Sequence, residues 1–258
     1  MDLNFKIEDL EFFLLILVRI SGFVYTAPFF SLNSVPRKVK TALSFFLAIV
    51  VFTSVDRYRL EYVGVIGYAG LVLLELLLGI AIGYIMNCCI QIVSFSGQII
   101  DMEIGFSMVN VMNPTANTTS TITGNLYTYF IMLILLASDL YQYILRAIID
   151  AFELIPVGKM VFRSNAYEIM ITFIKDYFII GFRIVLPIFA ATLVVNVVLG
   201  VLAKVAPQMN MFVIGMQLKV FIGLILLACA AKYIPVVANL LYDEMRMMVN
   251  DIVKIMSP

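Results

Sequence analysis

Tyr62–Val93 reads YVGVIGYAGLVLLELLLGIAIGYIMNCCIQIV, and a single charge, Glu75, interrupts it. A helix that crosses hydrocarbon needs ~20 apolar residues, so this run is long enough to span, to tilt, or to extend beyond the bilayer core. In lipid every backbone N–H must be satisfied within its own segment, which leaves helix as the backbone state. Glu75, Gly79 and Gly83 follow at i, i+4 and i+8 and share one helix face. Glycines at that spacing let another backbone come close, as in GxxxG packing. The acid therefore lies in a contact between helices.

The rest of the chain agrees. Of 258 residues, 63% are hydrophobic, and Trp and His are absent. Soluble domains hold closer to ~45–50% apolar residues, so the expected fold class is an all-α membrane protein with about six long apolar helices. Five further blocks fall near Phe12–Phe30, Thr41–Val55, Leu126–Ile149, Tyr177–Ala203 and Met211–Tyr242. Thr41–Val55 is short for a full span. Three connectors separate blocks: a basic turn Ser31–Lys40, a polar stretch Ser94–Thr123, and Asp150–Asn165 with Pro156 and Gly158. No linker divides the chain into soluble domains, so 1–258 reads as one integral membrane domain.

Lys+Arg and Asp+Glu both number 17, so no basic surface favours nucleic acid. The acidic start MDLNFKIEDLE does not resemble a signal peptide, and the first apolar block is expected to remain. Cys88, Cys89 and Cys229 lie in apolar segments, and without His there is no zinc spacing. No Walker A, GxSxG, HExxH or CxxC pattern occurs. Neither an enzyme nor a cofactor is expected. The acidic N-terminus before Arg37, Lys38 and Lys40 argues for an outside N-terminus, but later loops break the positive-inside rule. Some helices are therefore expected not to cross the bilayer.

Arg19, Glu75, Asp139, Arg183 and Lys219 all sit inside apolar runs. Charge in hydrocarbon is costly unless it faces a partner or water, so each is a candidate functional position. Gly215, Lys219 and Gly223 repeat the glycine–charge pattern with opposite sign, and Asn196, Gly200 and Lys204 form a third such face. Three readings stay open: internal packing with buried ion pairs such as Glu75 with Lys219, contact with other subunits, or a proton relay. Asp139, Gln142, Arg146 and Asp150 make a polar stripe, in which Arg146 and Asp150 are spaced to pair.

The segment Phe106–Ile122 (FSMVNVMNPTANTTSTI) mixes Phe106, Met108 and Met112 with Asn110, Asn113, Pro114 and Thr. Irregular backbone at membrane depth survives only when buried in protein or lining water. It is either a solvent loop or an adaptable Met-rich closure. Residues 241–258 carry Leu241, Met245, Met248, Ile252 and Ile255 at alternating spacings of four and three, which predicts an amphipathic helix. It is not basic, so docking on protein is expected rather than on lipid.

Ordered motifs add a resemblance. Arg19-Ile-Ser-Gly22, Ala27-Pro28, the Val35–Lys40 turn, Gly97-Gln98-Ile-Ile-Asp101 with Gly105-Phe106, Asn113-Pro114, Ile155-Pro156 and Ala206–Lys219 (APQMNMFVIGMQLK) appear in sequence. In that order they resemble the R-type (FliR- and SctT-like) export-gate subunits of type III secretion, over nearly the whole chain. The resemblance implies a flagellar protein-export role in the bacterial inner membrane, at the basal body. It implies a helical gate built with P-type and Q-type (FliP-like and FliQ-like) partners and a B-type (FlhB-like) switch protein, through which unfolded flagellar substrates pass. It also implies that Phe106–Ile122 plugs the closed pore, with Phe106, Met108, Asn110, Met112, Asn113 and Pro114 as gate residues. The polar, small-residue faces then become contacts between helices or subunits: Arg19, Glu75, Gly79, Gly83, Asn196, Gly200, Pro207, Gln208, Gly215 and Lys219. The competing functions are an injectisome subunit, a stand-alone transporter using Glu75, Asp139 or Lys219, and a structural scaffold.

Overall fold

A computed structural model describes residues 7–106, 121–161, 166–208 and 210–257. Along the chain run α1 (Ile7–Thr26), α2 (Arg37–Ser54), α3 (Gly64–Ile104), α4 (Ile122–Ala137) and α5 (Tyr141–Leu154). Then follow α6 (Ala166–Val205), α7 (Met211–Ala230), a 3-10 turn (Ala231–Tyr233) and α8 (Ile234–Met256). Gly64–Ile104, Tyr167–Val205 and Val213–Met256 are each long and apolar enough to cross a membrane. The protein is thus an all-α membrane protein. At 41 residues, α3 is roughly 60 Å long, twice the thickness of a hydrocarbon core.

Several boundaries differ from those read in the sequence. The polar stretch expected to break at Ser94 continues α3 as far as Ile104, because its polar side chains find partners. The Ser96 hydroxyl donates to the Ile92 carbonyl at 2.8 Å or the Gly181 carbonyl at 3.1 Å. The block Leu126–Ile149 is two helices, α4 and α5, separated by a turn at 138–140. Asp139 stands in that turn with φ of 56°, and its carbonyl accepts from the Gln142 N–H at 3.0 Å. Asp tolerates that left-handed conformation better than most residues. Asp139 is exposed there and is a joint, not a residue inside a span.

The chain forms two compact units. The first comprises Met1–Cys89, Ser138–Phe173 and Tyr242–Pro258. Its centre is the inner stripe of α1, where Phe12, Leu15, Ile16, Arg19, Ile20, Phe23 and Val24 are buried, the i, i+3, i+4 pattern of one helix face. Helix α2 closes one side through ring contacts of Phe13 with Phe45 and Phe52, at 5.9 and 5.6 Å between centroids. The part of α8 in this unit buries Met245, Met248, Val249, Ile252 and Val253. Each large apolar side chain so buried contributes about 1.5–3 kcal/mol.

The second unit comprises Ile90–Ala137 and Ile174–Leu241. Phe95 of α3 is surrounded by Tyr177, Phe178 and Phe182 of α6 at centroid distances of 5.6, 5.5 and 6.1 Å. Pro187 lies inside α6. Much of this unit's apolar surface is open: Leu193, Val194, Val197 and Val201 of α6 and Phe221 of α7 are all exposed.

Candidate functional site

The first unit holds a fully buried ion pair. Arg19 on α1 and Glu75 on α3 are both 0% exposed. The guanidinium meets the carboxylate fork to fork: Nε donates to Oε2, and Nη2 donates to Oε1 at 3.0 Å. Nη1 donates to the carbonyls of Ile155 at 2.9 Å and Ala151 at 3.4 Å, which belong to the open end of α5. Glu75 Oε1 also accepts from the Gly158 N–H at 2.7 Å. The Phe152 ring lies 4.1 Å from the guanidinium carbon, a cation–π contact that is strong when desolvated.

Four pieces of chain are thereby joined: α1, α3, the end of α5, and the turn after it. Gly158 has φ of 77°, a conformation that glycine adopts without the Cβ penalty. Outside the helices, the Tyr58 hydroxyl donates to the Val157 carbonyl. Burial, followed by the charge of Glu75, pushes the Tyr58 hydroxyl up to about 12, with Arg19 opposing. Burying two charges is costly, and excellent geometry with extra hydrogen bonds offsets that cost. The pair supplies both. Glu75, which the sequence left open to pairing with Lys219, is committed to Arg19 and to a backbone N–H. Arg146, spaced to reach Asp150, instead donates to the Gln142 amide oxygen at 3.5 Å.

The glycines beside Glu75 explain how α1 comes so close. A Cβ on Gly79 would collide with the Arg19 carbonyl, and one on Gly83 with the Thr26 hydroxyl and the Phe23 carbonyl. On α1, a Cβ on Gly22 would stand 2.9 Å from the Leu76 carbonyl. The two helices pack backbone to backbone along this face.

In the second unit, α3 and α4 are tied together beside the segment that joins them. The Asp101 carboxylate, 4% exposed, accepts from the Thr123 N–H at 3.2 and 3.3 Å. That N–H belongs to the first turn of α4, where backbone donors lack helical partners and favour an anion. A Cβ on Gly97 would collide with the backbone of Gly124. Gly105, with φ of 99°, ends α3, and Phe106 follows it half-buried. Of the expected gate residues, Met108, Asn110, Met112, Asn113 and Pro114 lie outside the described residues. Asp101 and Gly97 were legible only as parts of an ordered motif. Their positions in the last turns of α3 carried no sign that they would meet α4.

The remaining faces on α6 and α7 behave differently. Asn196 and Gly200 are exposed, and nothing lies within 4 Å of a Cβ built on Gly200. Pro207 and Gln208 are exposed as well. Gly215 packs on Leu199 of α6, and a Cβ on Gly223 would meet Ile104 of α3, while Lys219 between them is half-buried. Among the described residues no cluster of His, Cys, Asp and Glu is arranged to hold a metal ion.

Long apolar helices, a buried charge pair and helix faces left open define a membrane-embedded helical protein with surface to spare. The family described as "Bacterial export proteins, family 1" matches residues 10–245, and the chain belongs to that family. It is similar to the flagellar biosynthetic protein FliR of Bacillus subtilis, with 31% identity over 242 residues covering 92% of this chain and 93% of the relative. FliR of Escherichia coli is 27% identical over 239 residues, 92% and 90% of the two chains. FliR of Aquifex aeolicus is 27% identical over 235 residues, 90% of each.

Proposed function

We propose that the chain is the R-type subunit of the flagellar type III export gate, a non-catalytic component that forms a pore for unfolded flagellar substrates together with P-type and Q-type subunits. Its place is the bacterial inner membrane at the flagellar basal body, and a B-type switch protein docks near its entrance. Membership of the export family over residues 10–245 carries this reading. The open α6 face with Asn196 and Gly200 supports it, since a polar side chain and a glycine on an apolar helix suit a neighbouring helix better than lipid. Pro207 and Gln208 extend the same contact.

Phe106–Ile122 is the plug of this gate, with Met108, Asn110, Met112, Asn113 and Pro114 at its centre. The ties of Asp101 to Thr123 and of Gly97 to Gly124 support it by fixing the two flanks of the segment. Mild detergent extraction of the tagged chain, followed by mass spectrometry, tests the assembly: P-type and Q-type subunits are expected to co-purify, and a chain recovered folded and alone would refute it. Deleting Met108–Asn117 is expected to let ions leak while export partly persists. Unchanged leak together with unchanged export would remove the plug.

A further inference from the structure

Arg183 is a charge inside the apolar run of α6 that the proposed gate does not employ. It lines a groove of about 280 Å³ in the second unit, shared by Tyr127, Pro187, Ile188, Tyr233 and Val237. The other walls are apolar. Among the described residues no carboxylate pairs with Arg183: the ion pairs found are those of Arg19, Arg57 and Arg59. Pro187 has no N–H to offer the Arg183 carbonyl four residues earlier, so backbone polarity is also left open at this point.

The position along α6 narrows the ligand. Ile184–Ala203 contains no charged residue, and Arg183 and Lys204 bracket it. Twenty helical residues rise roughly 30 Å, the thickness of a hydrocarbon core. The two cations thus stand where an apolar run meets polar surroundings, as snorkelling residues do. Tyr127 and Tyr233 beside Arg183 match the aromatic residues enriched at that level. Arg offers a planar fork of donors that suits a phosphate oxygen pair. The groove that it lines presents Ile188 and Val237 to an acyl chain.

We infer that this groove binds one phospholipid with an anionic headgroup, the phosphate held by Arg183 and an acyl chain lying along Pro187, Ile188 and Val237. A carboxylate from a neighbouring subunit is the competing occupant. It would satisfy the charge but gives no use to the apolar walls of the groove.

The purified full-length chain in detergent is titrated with phosphatidylglycerol and with phosphatidylcholine of the same acyl chains, and bound lipid is counted by native mass spectrometry. Phosphatidylglycerol is expected to bind roughly five- to tenfold tighter. Arg183→Gln is expected to erase that preference, Arg183→Lys to keep most of it, and Lys204→Gln to leave it unchanged. Val237→Trp, which fills the groove and keeps the cation, is expected to weaken both lipids and stands in if Arg183→Gln does not fold. Equal binding of the two lipids by the unaltered chain, or a preference that survives Arg183→Gln, would overturn the site. So would displacement of phosphatidylglycerol by millimolar inorganic phosphate alone. Loss of co-purifying subunits from Arg183→Gln with lipid binding unchanged would give the charge to a protein carboxylate instead.

Discussion

Two helix faces share one sequence pattern and meet opposite fates. On α3, Glu75, Gly79 and Gly83 are buried against α1. On α6, Asn196 and Gly200 have the same spacing and stand open. A polar residue followed by glycine one turn later marks a place where a backbone will come close. It does not say whether that backbone belongs to the same chain. On α3 the partner is internal because α1 supplies Arg19, a complementary charge at the same level. On α6 the pattern is left for a partner from outside.

The sharpest way to break this contrast is to unpair the α3 face. Glu75→Ala leaves Arg19 buried without its counter-charge and is expected to destabilise the chain by about 3–5 kcal/mol. Thermal melting in detergent would register this as a large drop. The double variant Arg19→Met, Glu75→Leu is expected to recover most of the loss, since a well-packed apolar replacement is often neutral. Failure of the double variant to recover would mean that the bonds to Ile155 and Gly158 matter more than the charge pair itself.

The paired glycines come next. Gly79→Ala drives a methyl into the Arg19 carbonyl and is expected to cost about 1–3 kcal/mol. Gly200→Ala meets nothing in this chain and is expected to stabilise it by about 0.5–1 kcal/mol, because glycine is costly inside a helix. If the α6 face receives another subunit, the same Gly200→Ala variant yields less co-purified partner while its own melting temperature rises. Equal melting effects at the two positions would erase the distinction between the faces.

A smaller effect is expected at the flanks of the 106–122 segment. Asp101→Ala removes the carboxylate that caps Thr123 and is expected to cost about 1 kcal/mol, the usual scale for a lost helix cap. With the proposed plug less firmly tethered, ion leak in cells is expected to rise, measured against the Met108–Asn117 deletion as the upper limit.

The smallest effect concerns Tyr58, whose hydroxyl is pushed up to about 12. A raised folded value means that the neutral form is favoured in the folded protein, so its stabilisation is whole below the ordinary tyrosine value near ~10 and fades as pH climbs toward ~12. Tyr58→Phe is expected to flatten the alkaline slope of the melting temperature. An unchanged slope would show that the turn at Val157 does not depend on this hydroxyl.

Class and family were legible in the chain because they rest on quantities that a sequence carries directly. Long uncharged runs impose helices in lipid, and an ordered set of short motifs points to one family. The close approach at Gly79 and Gly83 was legible for the same reason, since helical spacing places residues on a face before any fold exists. The identity of the partner was not. Arg19 and Glu75 are separated by 56 positions, and only the packing of α1 on α3 joins them and then recruits the carbonyls of α5. The turn at Asp139 was equally hidden, because a left-handed residue in an apolar block leaves no break in hydropathy. The polar stretch after Ser94 was read as a break because nothing in its composition reveals that Gly181 and Thr123 will receive its polar groups. Local periodicity decides which residues share a face, and tertiary packing alone decides which charge, carbonyl or open surface that face will meet.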